Sequence, residues 1–178
     1  MKKLISLALV LVLCLSVSAA MAETFGLGTY VATPAPKDAS TVDGEKYDGS
    51  VTYNATVCAL VLGDDGKIIS CQFDSIQSKS AVTTEGTFKT ATSISKQAAK
   101  DNYNMKKYGN SVAEWYEQAN SFGAWCVGKT VEEVLGMKTY ARDEEHNCVP
   151  DVEDLKTTVT INVGDFLEAL RIAAENAK

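Results

Sequence analysis

Residues 51–62 and 67–76 are two runs rich in β-branched and other apolar side chains, and Gly63-Asp64-Asp65-Gly66 separates them. Such runs on either side of a Gly/Asp cluster predict a β-hairpin. By the two-residue period of a strand, Thr56, Cys58, Leu60 and Leu62 share one face of the first run. Ile69, Cys71 and Phe73 share one face of the second. The turn then decides which side chains meet. A turn symmetric about Asp64-Asp65 sets Cys58 opposite Cys71 and Leu60 opposite Ile69, whereas a two-residue turn at Asp65-Gly66 sets Cys58 opposite Phe73. Upstream, residues 29–33 read as one short strand running into a loop with Pro34 and Pro36. Residues 39–50 are polar, with turn signals at Asp43-Gly44 and Asp48-Gly49. Residues 77–93 are polar and Thr-rich without a clean period, and read as a loop with some strand character.

Downstream the period changes. Residues 94–105 contain several good helix formers and read as a helix. Ser111-Val112-Ala113-Glu114 is a capping box, after which Val112, Trp115, Ala119, Phe122 and Cys126 recur at helical spacing until Gly128. Thr130-Val131-Glu132-Glu133 is a second box, opening a short helix that fades at Gly136. Residues 138–152 read as a loop and 157–163 as β-like. Asp165-Phe166-Leu167-Glu168 caps a final helix over 166–177 with an apolar stripe of Phe166, Leu167, Leu170, Ala173 and Ala174. The expectation is an α+β fold: an antiparallel β-hairpin sheet packed with helices from the C-terminal half.

The first 22 residues follow none of these periods. Lys2 and Lys3, an apolar stretch from 4 to 17 and Ala20-Met21-Ala22 form a signal peptide with cleavage expected after Ala22. The apolar stretch falls short of a membrane span, and no later one approaches it. Leu13 before Cys14 lacks the small residue a lipoprotein signal needs. The remaining 23–178 suit a single domain in an extracytoplasmic location: secreted, periplasmic or on the cell surface. Without the two leader lysines, 15 basic residues face 23 acidic ones, a net charge of −8. An acidic chain with no basic cluster is a poor match for nucleic acid or anionic membrane surfaces.

Cys14 leaves with the leader, and Cys58, Cys71, Cys126 and Cys148 remain. An even count in an oxidising compartment predicts two disulfides, with Cys58–Cys71 across the hairpin and Cys126–Cys148 tying the 138–152 loop to the preceding helix. Reduced core cysteines are the alternative for the first pair. No C-x-x-C, Walker loop, G-x-G-x-x-G or G-x-S-x-G occurs. The lone histidine, His146, lies beside Asp143, Glu144 and Glu145; those four are a possible divalent-metal set, set against ordinary solvated surface. Trp115, Tyr116, Phe122 and Trp125 read as core, or else as a stacking surface for a planar ligand. Asn54-Ala55-Thr56 matches a glycosylation sequon inside a predicted strand.

Several short motifs fall in order: Gly28-Thr29-Tyr30, Asp65-Gly66-Lys67-Ile68, Tyr103-Asn104-Met105-Lys106-Lys107, Gly128-Lys129-Thr130-Val131-Glu132-Glu133-Val134, and Asp154-Leu155-Lys156-Thr157-Thr158-Val159-Thr160 before a terminal helix. In this order the chain resembles the FMN-binding-domain family of exported and membrane-associated bacterial proteins. That family's motif is Asp-x-x-Ser/Thr-Gly-Ala-Thr, whose last threonine can carry FMN. The resemblance implies Asp154, Thr157 and Thr160 as cofactor-binding residues, with Thr158 and Val159 standing where the family has glycine and alanine. It also implies a non-enzymatic small-ligand binder, with flavin-dependent electron transfer outside the cytoplasm if FMN is held. The alternative is a degenerate, flavin-free, disulfide-stabilised protein that meets an envelope protein partner at the cell surface.

Overall fold

Strands β4 (Gly49–Leu62) and β5 (Ile68–Val82) pair antiparallel over nearly their whole length in the computed structural model, which describes residues 23–109, 111–144 and 146–178. The expected leader, its cleavage point and Cys14 lie outside the described residues, as does Glu145. The hairpin turn closes with Gly66 N donating to Gly63 O at 3.0 Å and Gly63 N donating to Lys67 O at 2.9 Å. Gly66 has φ +75°, a left-handed conformation that glycine adopts without steric cost. This turn and a register shift at Val61/Leu62 set Cys58 opposite Phe73 and Leu60 opposite Cys71. Cys58 thus meets Phe73 as in the alternative register, but not through a two-residue turn at Asp65-Gly66: the turn is centred on Asp64-Asp65, and two one-residue slips, at left-handed Gly66 and at Val61/Leu62, shift the pairing.

The hairpin is also longer than its apolar stretch. β5 continues through the polar residues 77–82, and β6 (Thr92–Ser95) pairs back onto Ile76 to Lys79. That end of the sheet buries little on either face, so burial imprinted no period on it. β1 (Thr24–Ala32) runs along β4 on the other side, giving the order β1-β4-β5-β6. β2 (Ser40–Val42) and β3 (Glu45–Tyr47) form a separate small hairpin around Asp43-Gly44.

The expected 94–105 helix is broken up. β6 takes its start, α1 (Lys96–Ala99) is capped by Ser95, and a 3₁₀ turn (Lys100–Tyr103) follows. Lys100 and Asn104 both have positive φ, so the chain bends at each before α2 (Met105–Gly109). α3 (Trp115–Cys126) begins later than the sequence signal suggests. Glu114 is its N-cap and exchanges bonds with Glu117, while the same buried carboxylate accepts from Met105 N and Lys106 N. Val112 is left exposed. α4 (Val131–Leu135) carries the expected Thr130/Glu133 box. β7 (Thr139–Tyr140) and β8 (Val149–Pro150) turn the expected 138–152 loop into a short ribbon.

Residues 157–163 form no strand. A turn at 153–158 leads into an extended stretch in which Val159, Ile161 and Val163 are buried. The alternation records burial, yet the segment finds no ladder partner. α5 (Gly164–Glu175) follows, with Asn162 Oδ1 accepting from Gly164 N at 3.0 Å.

α3 and α5 cover the inner face of the sheet at very short range. A Cβ on Gly28 would stand 2.0 Å from Ala169 O, one on Gly26 2.0 Å from Ala173 O, and one on Gly123 2.4 Å from Cys71 O. These glycines let helix backbone approach strand backbone. Between the layers Phe73 stacks on Phe166 (4.7 Å between centroids, 11°), and Trp115 meets Phe166 edge-on at 5.6 Å. Trp115 and Phe122 are therefore core, Tyr116 and Trp125 partly so. No helix among the described residues is long and apolar enough to cross a membrane.

The cysteines depart from expectation. All four are free thiols, so neither Cys58–Cys71 nor Cys126–Cys148 is bridged. The register makes Cys58 and Cys71 diagonal neighbours with sulfurs 3.7 Å apart. Diagonal Cα atoms in a sheet lie about 7–8 Å apart, beyond the usual disulfide span of about 4.4–6.8 Å. Cys126 packs against Cys71 rather than Cys148, whose Cβ instead lies 3.6 Å from the position of a Cβ on Gly164.

Candidate functional site

The inner face of β4 and β5 turns from apolar to polar along its length. Cys58, Leu60, Cys71 and Phe73 give way to Asn54, Thr56 and Ser75, and the covering helices draw apart over that end. The result is a recess of about 350 Å³, within the about 300–1,000 Å³ usual for small-molecule sites. Thr56 and Ser75 form its floor, and both are almost wholly buried. Lys96 from α1, Tyr103, Met105, Trp115 at the start of α3, and Asp165 and Phe166 at the start of α5 form its walls. His146, Ile161 and Asn162 close the remaining side.

Lys96 sets the electrostatics. Its Nζ lies 5.1 Å from the Tyr103 ring centroid and 5.5 Å from that of Trp115, so the ammonium sits between two π faces. It makes no ion pair among the described residues. Burial pushes the Asp165 carboxyl above its ordinary range, and the positive charge of Lys96 partly offsets this. A lysine, a carboxylate that resists ionisation, two buried hydroxyls and the amides of Asn54 and Asn162 thus converge on one cavity.

The loop beside the recess is held by its own ion pairs. His146 Nδ1 lies 2.6 Å from Asp143 Oδ1, and Arg142 Nε lies 3.1 Å from Asp143 Oδ2. The bond from His146, helped by Arg142, lowers the Asp143 carboxyl to about 2. Arg142 NH1 also donates to Thr160 O at 2.9 Å, and Asn162 Nδ2 to Asn147 Oδ1 at 3.3 Å. The loop is therefore laced to the segment 160–162. No cluster of metal-ligating side chains occurs among the described residues, and Asp143 is engaged by its neighbours.

The three residues singled out by the family motif do not meet around one cavity. Asp154 and Thr157 are exposed on the turn at 153–158. Thr160 is half-buried, and its N and Oγ1 lie 2.8 and 3.3 Å from Gln118 Oε1. Gln118 is fully buried. Thr158 and Val159 cannot supply the close backbone approach that glycine and alanine allow, and Val159 is spent in the core. The segment as folded offers an FMN phosphate no shared cradle. It does border the recess through the next two residues, Ile161 and Asn162.

No family model, curated protein or solved structure matches this chain. The site therefore stands on its own geometry.

Sequence reasoning passed over Lys96, Asp165, Thr56 and Ser75. Thr56 carried a signal, as a hydroxyl in an inward-facing row that otherwise holds Cys58, Leu60 and Leu62. A larger depression of about 650 Å³ lies along the edge of β5, lined by Val57, Ala59 and Gln72 on one side and by Asn120, Gly123 and Ala124 of α3 on the other. Its one carboxylate, Asp74, is consumed by bonds from Ser95 Oγ and Gln97 N, and its one thiol, Cys71, is buried. That leaves the smaller, polar recess as the candidate site.

Proposed function

We propose that this protein is an exported binding domain for a small ring-bearing anion, held in the recess between Lys96, Tyr103, Trp115 and Asp165. The observation that carries the reading is the Lys96 ammonium, poised over two aromatic rings above a floor of buried hydroxyls. A carboxylate or phosphate on the ligand meets the lysine, and a planar group meets Tyr103, the less buried of the two rings. Asn54, Thr56, Ser75 and Asn162 supply the donors and acceptors that fix its orientation. No nucleophile–base pair is needed, because the role is capture. The export leader supports a location outside the cytoplasm.

The test uses fluorescence. The chain has two tryptophans, and Trp125→Phe leaves Trp115 as the only indole. FMN, phenyl phosphate and benzoate serve as probes, FMN because the family resemblance points to it. Saturable quenching of Trp115 by at least one probe is expected. Lys96→Met is expected to weaken it about tenfold, the loss of roughly 1.4 kcal/mol of charge-assisted contact. Thr157→Ala, on the exposed turn, leaves it unchanged. Tighter binding of FMN than of phenyl phosphate extends the reading to flavin and its electron-transfer chemistry. No saturable response to any probe at millimolar concentration overturns it.

A further inference from the structure

Three thiols meet where α3 crosses β5, away from the ligand recess. Cys71 is central: its sulfur lies 3.7 Å from that of Cys58, and its side chain also contacts Cys126. One sulfur can bond to only one neighbour. The strand pair disfavours Cys58, because the β4–β5 ladder continues on both sides of the diagonal and holds the two backbones at their spacing.

The helix side favours Cys126. Lys67 and Thr130 form an antiparallel bridge. Ile68 N donates to Lys129 O, and Gly128 N to Ile68 O, both at 2.8 Å. These bonds hold the chain just after α3 against the start of β5, so the C-terminal end of α3 is pinned beside the strand that carries Cys71. One turn earlier, Gly123 lies against the Cys71 carbonyl with no room for a methyl group. Cys126 is also the last residue of α3, followed by extended Val127 and left-handed Gly128, so its backbone is free to adjust at a helix end.

We infer that Cys71 and Cys126 are the oxidisable pair of this protein, forming one disulfide that fastens the end of α3 to β5 and leaves Cys58 and Cys148 as thiols. The oxidant is a small diffusible disulfide. Its S–S bond is reduced to two thiols that take up the protons of Cys71 and Cys126, and one protein S–S bond forms. Contact with Cys126 pulls the Cys71 thiol down, but the neighbouring Cys58 and burial outweigh it and push it up. Contact with Cys71 and burial push Cys126 up as well. Reaction is therefore slow at neutral pH and faster in mild alkali, where more thiolate forms.

Each cysteine falls in its own tryptic peptide: 47–67, 68–79, 108–129 and 143–156. The native protein is incubated with excess oxidised glutathione at mildly alkaline pH, alkylated in denaturant, digested and analysed by mass spectrometry. The expected product joins 68–79 to 108–129, with 47–67 and 143–156 alkylated. Cys58→Ser retains that product, and Cys71→Ser abolishes it. A bond between 47–67 and 68–79, a bond between 108–129 and 143–156, or four alkylated thiols after oxidation each overturns the inference. Because the readout is a covalent bond, it is independent of ligand binding in the recess.

Discussion

Replacing Gln118 by leucine removes the polar knot that joins α3 to the segment carrying Thr160. Gln118 is fully buried. Its Nε2 donates to Ser111 Oγ at 2.7 Å and Ala113 O at 2.9 Å, and its Oε1 accepts from Thr160 N at 2.8 Å. Leucine has a similar volume, so little cavity forms and the loss is polar. Each well-formed bond contributes about 1 kcal/mol net, and partners left buried without a bond cost somewhat more, so the total is about 3–4 kcal/mol. For a domain of this size a urea slope of roughly 2–3 kcal/mol/M turns that into a midpoint lowered by about 1–2 M. Urea titrations followed by tryptophan fluorescence and circular dichroism measure it, and agreement of the two probes tests two-state behaviour. Ser111→Ala alone should cost about 1 kcal/mol. Added to Gln118→Leu it should cost almost nothing more, since its partner is already gone. A Gln118→Leu midpoint within about 0.3 M of the parent, under roughly 1 kcal/mol on that slope, would refute the account of this side chain as the anchor of Thr160.

Two further expectations follow from backbone contact and from charge. Gly28→Ala places a methyl 2.0 Å from Ala169 O and 2.4 Å from Ala173 N, backbone atoms that cannot swing aside. It should cost about 3 kcal/mol by displacing α5, whereas Gly109→Ala, with nothing nearer than 3.6 Å, should stay within about 0.5 kcal/mol; calorimetric melting of both variants decides. Asp165 has a folded-state pKa above its ordinary 3.8, so its contribution to stability is fully present below that pH and is lost as pH rises through the folded value. Asp165→Asn should therefore raise the melting temperature at pH 7 relative to the parent, with the gain shrinking towards pH 3; a gain that grows on acidification would contradict the sign.

The long hairpin, the Thr130 box and the final helix were legible because each is an amphipathic element, the first two with their own turn or cap; the expected Asp165 cap is not used, since α5 starts at Gly164 behind Val163 and Asp165 lies within its first turn. Register was not legible, because it depended on two one-residue slips, the left-handed Gly66 and the irregularity at Val61/Leu62, that the hairpin residues do not announce. The break at Lys100 was invisible as well. Lysine carries no helix-stop signal, so the positive φ at Lys100 could not be foreseen, whereas Asn104 takes the left-handed helix-ending conformation that asparagine readily adopts. Residues 157–163 alternate as a strand does, yet hydrogen-bonding partners cannot be read from one segment. The recess was the least legible part. Lys96 and Asp165 lie 69 positions apart in the chain, one at the start of a four-residue helix and the other in the first turn of the last helix. Nothing local announces that they share a cavity. Gly28 carried the Gly28-Thr29-Tyr30 motif, and the use of Gly26 and Gly28 against α5 required knowing which helix would arrive there.

The contact between Gly26, Gly28 and α5 joins the first strand of the sheet to the last helix of the chain, and Phe25 and Lys178 close the join with reciprocal backbone hydrogen bonds of 3.1 and 3.2 Å. The core therefore has no early foldable half. Until the final dozen or so residues have emerged, β1 has no helix to receive its glycines and Phe73 has no Phe166 to stack on. The same dependence on distant contacts makes for slow folding. The two glycines thus act as a latch: the first strand of the sheet is finished only when the last helix arrives.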